Sequence, residues 1–331
     1  MRHFARARLP ACRQIRTRCP NNMQTPPNIT PANWGMVMTL GLVWGATFLF
    51  IELALQGITP FWLAAARIGF ACILTAFVWR LRGGKLFLTK DTAWGALIIS
   101  GIINSAIPFM LLSWGQQTVT SGFAGVSMAA VALIVLPLAH IFVPGEQLTL
   151  RRVIGFVIGF CGVAVLLGGQ VFESTGDPLE PFGRLACLGA ACCYATSSIM
   201  VRTLPPIDPF GLAATSLLFG SAVVFPVAFI MEGAPVMPPA ETIWVVAILG
   251  LIPTAGANLL RIFVIRSAGP VFLSLLNYQV PMWSVIFGIV ILGEPFKATL
   301  LLAMAFILLG VFISQWTALK HLFGRKPTPS N

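Results

Sequence analysis

Charged side chains make up only 9% of this 331-residue chain, so each one set in an apolar stretch needs a physical reason. Arg67 stands seven residues after Pro60, inside such a stretch. A guanidinium there can ligate an anionic group such as a carboxylate. It can equally form a structural ion pair or donate to helix carbonyls. Glu52 lies near the end of the preceding stretch, and three roles are open to it: a titrating proton site, a partner for Arg67 across the short intervening loop, or a helix end at an interface. The uncharged polar residues Asn104, Asn258, Asn277, Tyr278 and Gln279 can bind a ligand or bond neighbouring helices. Pro281 follows the last three. It removes one backbone hydrogen bond and clashes with the Asn277 carbonyl, exposing polar backbone beside those side chains. Trp44 and Trp283 can wall a cavity for apolar or cationic groups, or serve packing.

Enzymatic chemistry needs clustered carboxylates, a metal, or a nucleophile with its base. His140 is isolated. Cys12, Cys19, Cys72, Cys161, Cys187, Cys192 and Cys193 include no C-x-x-C pair and no histidine at ligand spacing. No catalytic residue, metal or cofactor is assigned on these grounds. An intramembrane lipid-modifying enzyme is the runner-up reading.

The elements that must position these residues follow from composition. Apolar residues make up 57% of the chain and come in runs of about twenty, the length a helix needs to cross a bilayer. Ten spans are expected, at 34–53, 60–79, 92–112, 119–143, 152–170, 183–201, 209–231, 242–262, 268–292 and 298–318. The short alternating segments of a membrane β-barrel are absent. A charge near the bilayer centre costs at least about 2.5–3.5 kcal/mol on insertion scales and must face protein or water, which is why Arg67 stands out.

The chain also repeats itself. Pro60-Phe61-Trp62-Leu63-Ala64-Ala65 returns as Pro209-Phe210-Gly211-Leu212-Ala213-Ala214, Ala46-Thr47 as Ala195-Thr196, and Gly145-Glu146 as Gly293-Glu294. Two units, 34–170 and 183–319, carry five spans each. An odd number of crossings inverts the second unit relative to the first. The fold class expected is an all-α polytopic membrane protein, ten transmembrane helices in two inverted five-helix repeats.

Basic residues test the orientation, because cytoplasmic loops collect Lys and Arg. With the N-terminus inside, the inner segments hold six arginines before the first span, then Arg80, Arg82, Lys85, Lys90, Arg151, Arg152, Arg202, Arg261, Arg266, Lys320, Arg325 and Lys326; the outer ones hold Arg184 and Lys297. Both termini, including the tail 320–331, are therefore expected in the cytoplasm. The net charge of +11 is spread along an interface with anionic lipid, so the lipid bilayer is a partner and nucleic acid is not. Residues 1–33 read as a disordered basic tail, or in part as a mis-assigned start with translation beginning at Met23. Gly155-x-x-x-Gly159 permits close helix approach, either within the chain or in a homodimer.

Trp44-Gly45-Ala46-Thr47-Phe48, the span from Pro60 to Arg67, the two Gly-Glu pairs and Asn277-Tyr278-Gln279-Val280-Pro281, in that order within a 5+5 repeat, resemble the drug/metabolite transporter superfamily with paired EamA domains. The resemblance covers about residues 34–319. It implies a central substrate cavity and a secondary transporter of small metabolites, amino-acid-like compounds or drugs, working by alternating access in a bacterial inner membrane, as an exporter; import is the alternative. The residues to bind substrate would be Arg67, Asn277, Tyr278, Gln279, Trp44, Trp283, Asn104 and Asn258, with Glu52, Pro281 and Pro137 in gating or coupling. There is one departure from the family pattern: Pro281 precedes Glu294 by thirteen residues, whereas Pro137 precedes Glu146 by nine.

Overall fold

A computed structural model describes residues 29–143, 148–168, 177–295 and 297–323. The tail through Met23, the Gly145-Glu146 pair and the end of the C-terminal tail lie outside the described residues. Among the described residues, ten apolar helices run in chain order: α1 (Pro31–Leu55), α2 (Pro60–Leu81), α3 (Trp94–Gly115), α4 (Ser121–Phe142), α5 (Leu150–Gly168), α6 (Glu180–Thr203), α7 (Pro209–Glu232), α8 (Ala240–Gly269), α9 (Leu276–Leu292) and α10 (Ala298–Phe323). Helices are the expected answer in hydrocarbon, where every backbone polar group must be bonded within the protein.

Several starts are written locally. Pro31, Pro60 and Pro209 occupy first-turn positions, where a missing N–H costs nothing. Thr30 and Asn33 cap one another reciprocally, which starts α1 three residues earlier than the hydropathy run. Two other boundaries differ from expectation. The ninth helix begins at Leu276, not at 268, because Gly269 takes φ 84°, a glycine conformation, and Pro270 follows it; α8 runs on to that break and spans 30 residues. The sixth begins at Glu180, not at 183, and so contains a buried ion pair of Glu180 with Arg184, one helical turn apart. Arg184 also donates from Nη1 to Leu167 O at 3.2 Å. Glu180 and Arg184 thus join Glu52 and Arg67 among the charges within the helical spans. Opposite charges at this spacing neutralise one another and can be buried together.

Packing shows the repeat directly. Adding five to each helix number maps the α1–α9 contact onto α6–α4, α1–α8 onto α6–α3, and α2–α8 onto α7–α3. The pairs α2–α7, α4–α9 and α5–α10 map onto themselves. That is a pseudo-two-fold relation between inverted units. Glycines set the closest approach. A Cβ on Gly155 would lie 2.5 Å from Gly310 O and 2.7 Å from Ser314 N on α10, and one on Gly159 would strike Leu133 of α4. Both glycines of the G-x-x-x-G run are therefore used within the chain.

Gly155→Ala must push α5 from α10 against backbone. It is expected to cost about 1–3 kcal/mol and to lower the thermal unfolding midpoint in detergent. Gly35→Ala, with nothing within 4 Å of its Cβ, should leave that midpoint unchanged or raise it.

Candidate functional site

The site is built around prolines in the third helix of each repeat. Next to Pro108, α3 widens into a π turn at Ile102–Ala106; around Pro253, α8 does so at Gly250–Gly256. Each π turn begins where a glycine crosses the central pair α2–α7. A Cβ on Gly101 would lie 2.9 Å from the Ser216 backbone on α7, and one on Gly250 would lie 2.9 Å from Arg67 O on α2. Arg67 and Ser216 hold equivalent places in the two repeats, as do Ser105 and Thr254. Ser105 Oγ donates towards Gly101 O and Ser216 O at 2.8 and 3.0 Å.

On the other side the chemistry differs. Pro253 has no N–H to give the Leu249 carbonyl, and the Thr254 hydroxyl donates to it instead at 2.8 Å. The hydrogen of that hydroxyl being used, its oxygen is an acceptor, and Arg67 Nε donates to it at 2.8 Å. Arg67 is 5% exposed. Its guanidinium carbon lies 4.0 Å from the centroid of the Phe109 ring, a cation–π contact. Tyr194 of α6 sits near the same cation and packs against the apolar cluster that includes Phe109. Nη1 of Arg67 is buried with no hydrogen-bond partner. A buried cation with a bare donor is costly unless an acceptor arrives.

Two more of the expected residues converge here. Trp44 Nε1 donates to Pro253 O at 3.0 Å, and Asn258 Nδ2 to Thr254 O at 2.5 Å. Trp44, Arg67 and Asn258 thus meet at residues 253–254. A second group lies where α9 crosses α1. A Cβ on Gly41 would lie 2.7 Å from Gln279 Cβ, and Gly45 is backed by Val280 O and Trp283. Tyr278 Oη and Gln279 Oε1 are buried without partners there, and Asn277 stands half-buried in the first turn of α9. Asn104 is apart from both groups and accepts from Ser197 Oγ on α6 at 3.2 Å. Pro137 and Pro281 lie inside α4 and α9, which pack on each other.

Glu52 is not joined to Arg67 by an ion pair among the described residues. It lies at the end of the bundle that holds the α1–α2 turn, in a polar vestibule of about 420 Å³ with Gln116, Asp177 and Glu294. Two carboxylates of the second repeat hold helix N-termini of the first at this end. Glu232 accepts from Thr59 Oγ1, Phe61 N and Trp62 N at 2.6, 3.0 and 3.0 Å. Glu294 accepts from Ser121 N and Gly122 N at 2.7 and 3.1 Å. Gly293, at φ 67°, turns the chain back so that Glu294 reaches α4.

A sequence profile of the EamA-like transporter family matches residues 34–168 and again 181–316. The chain belongs to the EamA-like transporter family. It is 26% identical over 298 residues to the inner membrane transporter YedA of Escherichia coli, described as uncharacterized, a match covering 89% of this chain and 93% of that one. It is 24% identical over 278 residues to a "probable terminal-alkyne amino-acid exporter" of Streptantibioticus cattleyicolor, covering 80% and 87%. A crystal structure 21% identical in sequence shares the fold, with a TM-score of 0.62 over 87% of this chain and 98% of that one. The chain is accordingly a multi-pass membrane protein of a transporter family, and small molecules are the cargo such a family implies.

Within this EamA pair, Thr254, Tyr194, Phe109 and Gln116 were not singled out by sequence. Tyr194 carried a usable signal, since the chain has only two tyrosines and both fall in spans. Thr254 carried a weaker one, as a hydroxyl directly after a proline in mid-helix.

Thr254→Val keeps the side-chain shape but removes the acceptor for Arg67 Nε and the donor to Leu249 O. A loss of about 1–3 kcal/mol is expected for leaving buried groups unsatisfied, read as a lower unfolding midpoint in detergent; Thr254→Ser should retain it.

Proposed function

We propose that this chain is a secondary transporter that exports small metabolites bearing a carboxylate, amino-acid-like compounds among them, by alternating access of its two inverted repeats. The observation that carries this reading is Arg67, a buried guanidinium held by Thr254 and Phe109 with Nη1 left bare. Arg67 takes the anionic group. Trp44 and Tyr194 wall the remainder, and Asn258 holds the π turn in shape. Tyr278 and Gln279 offer further polar contacts from α9, with Asn277 beside them and Trp283 as an apolar wall; Asn104 adds an amide on the α3–α6 side. Pro137 and Pro281 place the flexing points of the packed α4–α9 pair. The amino-acid exporter among the relatives is in keeping with a carboxylate cargo.

The basic residues support an orientation with both termini in the cytoplasm, which puts Glu52, Glu232 and Glu294 at the outer face. A fluorescent protein that matures only in the cytoplasm, fused after Asn331, should fluoresce in cells; a dark fusion made in full would reverse the orientation.

Metabolites in the medium of cells overexpressing the chain are to be compared with those of cells making Arg67→Gln. One carboxylate-bearing compound class should accumulate outside with the natural chain and fall to background with the variant at equal membrane abundance. Accumulation that persists in the variant would overturn the role of Arg67. Loss of the folded variant from the membrane would leave Arg67 a structural role only.

A further inference from the structure

The surroundings of Arg67 fix more of the cargo than its carboxylate. The π turn at Gly250–Gly256 presents carbonyl oxygens to side chains, and three of them already hold a hydrogen. Leu249 O takes the Thr254 hydroxyl, Pro253 O takes Trp44 Nε1, and Thr254 O takes Asn258 Nδ2. At the equivalent junction in the other repeat, Gly101 O and Ser216 O take the Ser105 hydroxyl. What stands unfilled at Arg67 is a donor, its buried Nη1.

The bare oxygens of α9 are turned elsewhere. Gln279 Oε1 lies against Gly41 of α1, where any Cβ would collide with it. Tyr278 packs on the apolar cluster of Phe48, Phe123 and Val285, which is distinct from the cluster that holds Phe109.

Charge points the same way. Every Asp and Glu among the described residues lies in a terminal helical turn or between helices, whereas Arg67 stands seven residues past the start of α2. The ionisable side chain that acts on Arg67 is Tyr194, and among the described residues Arg67 forms no ion pair. An incoming carboxylate therefore meets a cation and an unused donor. An ammonium on the next carbon of the cargo would meet no carboxylate there, and the carbonyls named above are filled. It would lose its hydration without replacement, which costs more for a charge than for a neutral polar group, and the guanidinium would repel it through a medium of low dielectric. The walls nearby are apolar, with Ala64, Ile68 and Leu217 in the cluster of Phe109.

We propose that the Arg67 site selects carboxylates with an apolar body and no ammonium beside the carboxylate. Monocarboxylic acids and N-acylated amino acids fit it, and free amino acids are disfavoured. The discrimination comes from a charge left unpaired in the wrong ligand, not from an added contact to the right one. The preference rests on the reading of Arg67 as the ligand of the cargo carboxylate.

The test compares ligands that differ in the ammonium alone. The purified full chain in lipid nanodiscs is titrated calorimetrically at neutral pH, with empty nanodiscs as the reference. The probes are hydrocinnamate against L-phenylalanine, and isocaproate against L-leucine, each pair sharing one carbon skeleton. N-acetyl-L-phenylalanine keeps a substituent at the same carbon without its charge, and phenethylamine keeps the ammonium without the carboxylate. Hydrocinnamate, isocaproate and N-acetyl-L-phenylalanine should each bind about tenfold or more tighter than the matching free amino acid, and phenethylamine should not bind. Free amino acids that bind as tightly as their partners would overturn the selection and leave Arg67 as a carboxylate ligand. N-acetyl-L-phenylalanine as weak as L-phenylalanine, with hydrocinnamate tight, would make the exclusion one of size and overturn its electrostatic basis. No binding by any carboxylate would overturn the carboxylate reading itself, and the selection with it. These comparisons use the natural chain, so they do not depend on any variant folding. In Arg67→Gln of unchanged unfolding midpoint, hydrocinnamate should fall to the level of the empty nanodiscs; tight binding that persists would overturn both.

Discussion

Every backbone N–H and C=O that enters hydrocarbon must find a partner inside the protein, and the rest of this structure depends on that constraint. It makes each crossing a helix, and it makes any interruption of a helix a place where polar groups must gather. The π turn at Gly250–Gly256 shows the consequence most fully. Pro253 deprives Leu249 O of its donor, Thr254 supplies one, and Arg67, Trp44 and Asn258 bond to the groups that the widened turn presents. A buried cation is tolerable there because its partners are already required by the irregular backbone.

The inverted repeat supplies each such place twice, and the two copies have diverged. Where the second repeat has Ser216 and the first π turn Ser105, a hydroxyl bonds to backbone across the interface. At the equivalent pair, Thr254 faces a guanidinium. The starts of the central helices differ in the same way. Asp208 caps α7 from its own first turn, accepting from Phe210 N and Gly211 N, whereas Thr59 is a hydroxyl and the carboxylate over α2 comes from Glu232 in the other repeat. One architecture thus carries a polar junction of small residues on one side and a charged site on the other.

The ends of the bundle are held by different means. At the α1–α2 end, Glu232 and Glu294 bind helix N-termini with charge-assisted hydrogen bonds, stronger than neutral ones. At the opposite end, the segments beside the α2–α7 pair are joined by backbone hydrogen bonds, Leu88 N to Pro206 O and Asp208 N to Leu86 O at 3.0 and 2.9 Å, with the Arg82 guanidinium over the Phe210 ring at 4.1 Å. The carboxylate ties respond to charge and the backbone ties do not.

The amino-acid sequence by itself determined that there are ten helices in two inverted units, because hydropathy, helix length and the repeat of Pro60–Ala65 at Pro209–Ala214 are local properties. It also marked Arg67 as costly to bury and Trp44 and Asn258 as candidates to line a site. The ninth helix was misjudged because Gly269 and Pro270 interrupt a run that is apolar throughout, and the sixth because Glu180 reads as loop until Arg184 is seen beside it. Only the tertiary structure decided which polar groups meet: Arg67 with Thr254, 187 residues apart, Glu52 with Gln116 in place of Arg67, and Glu294 with the start of α4. The reason is physical. A helix that is apolar on all sides carries no stripe to say which face turns inward, so the rotation of each helix, and with it the partner of each polar side chain, is set by the close approach of glycines such as Gly41, Gly101, Gly155 and Gly250 to backbone and side chains far away in the chain.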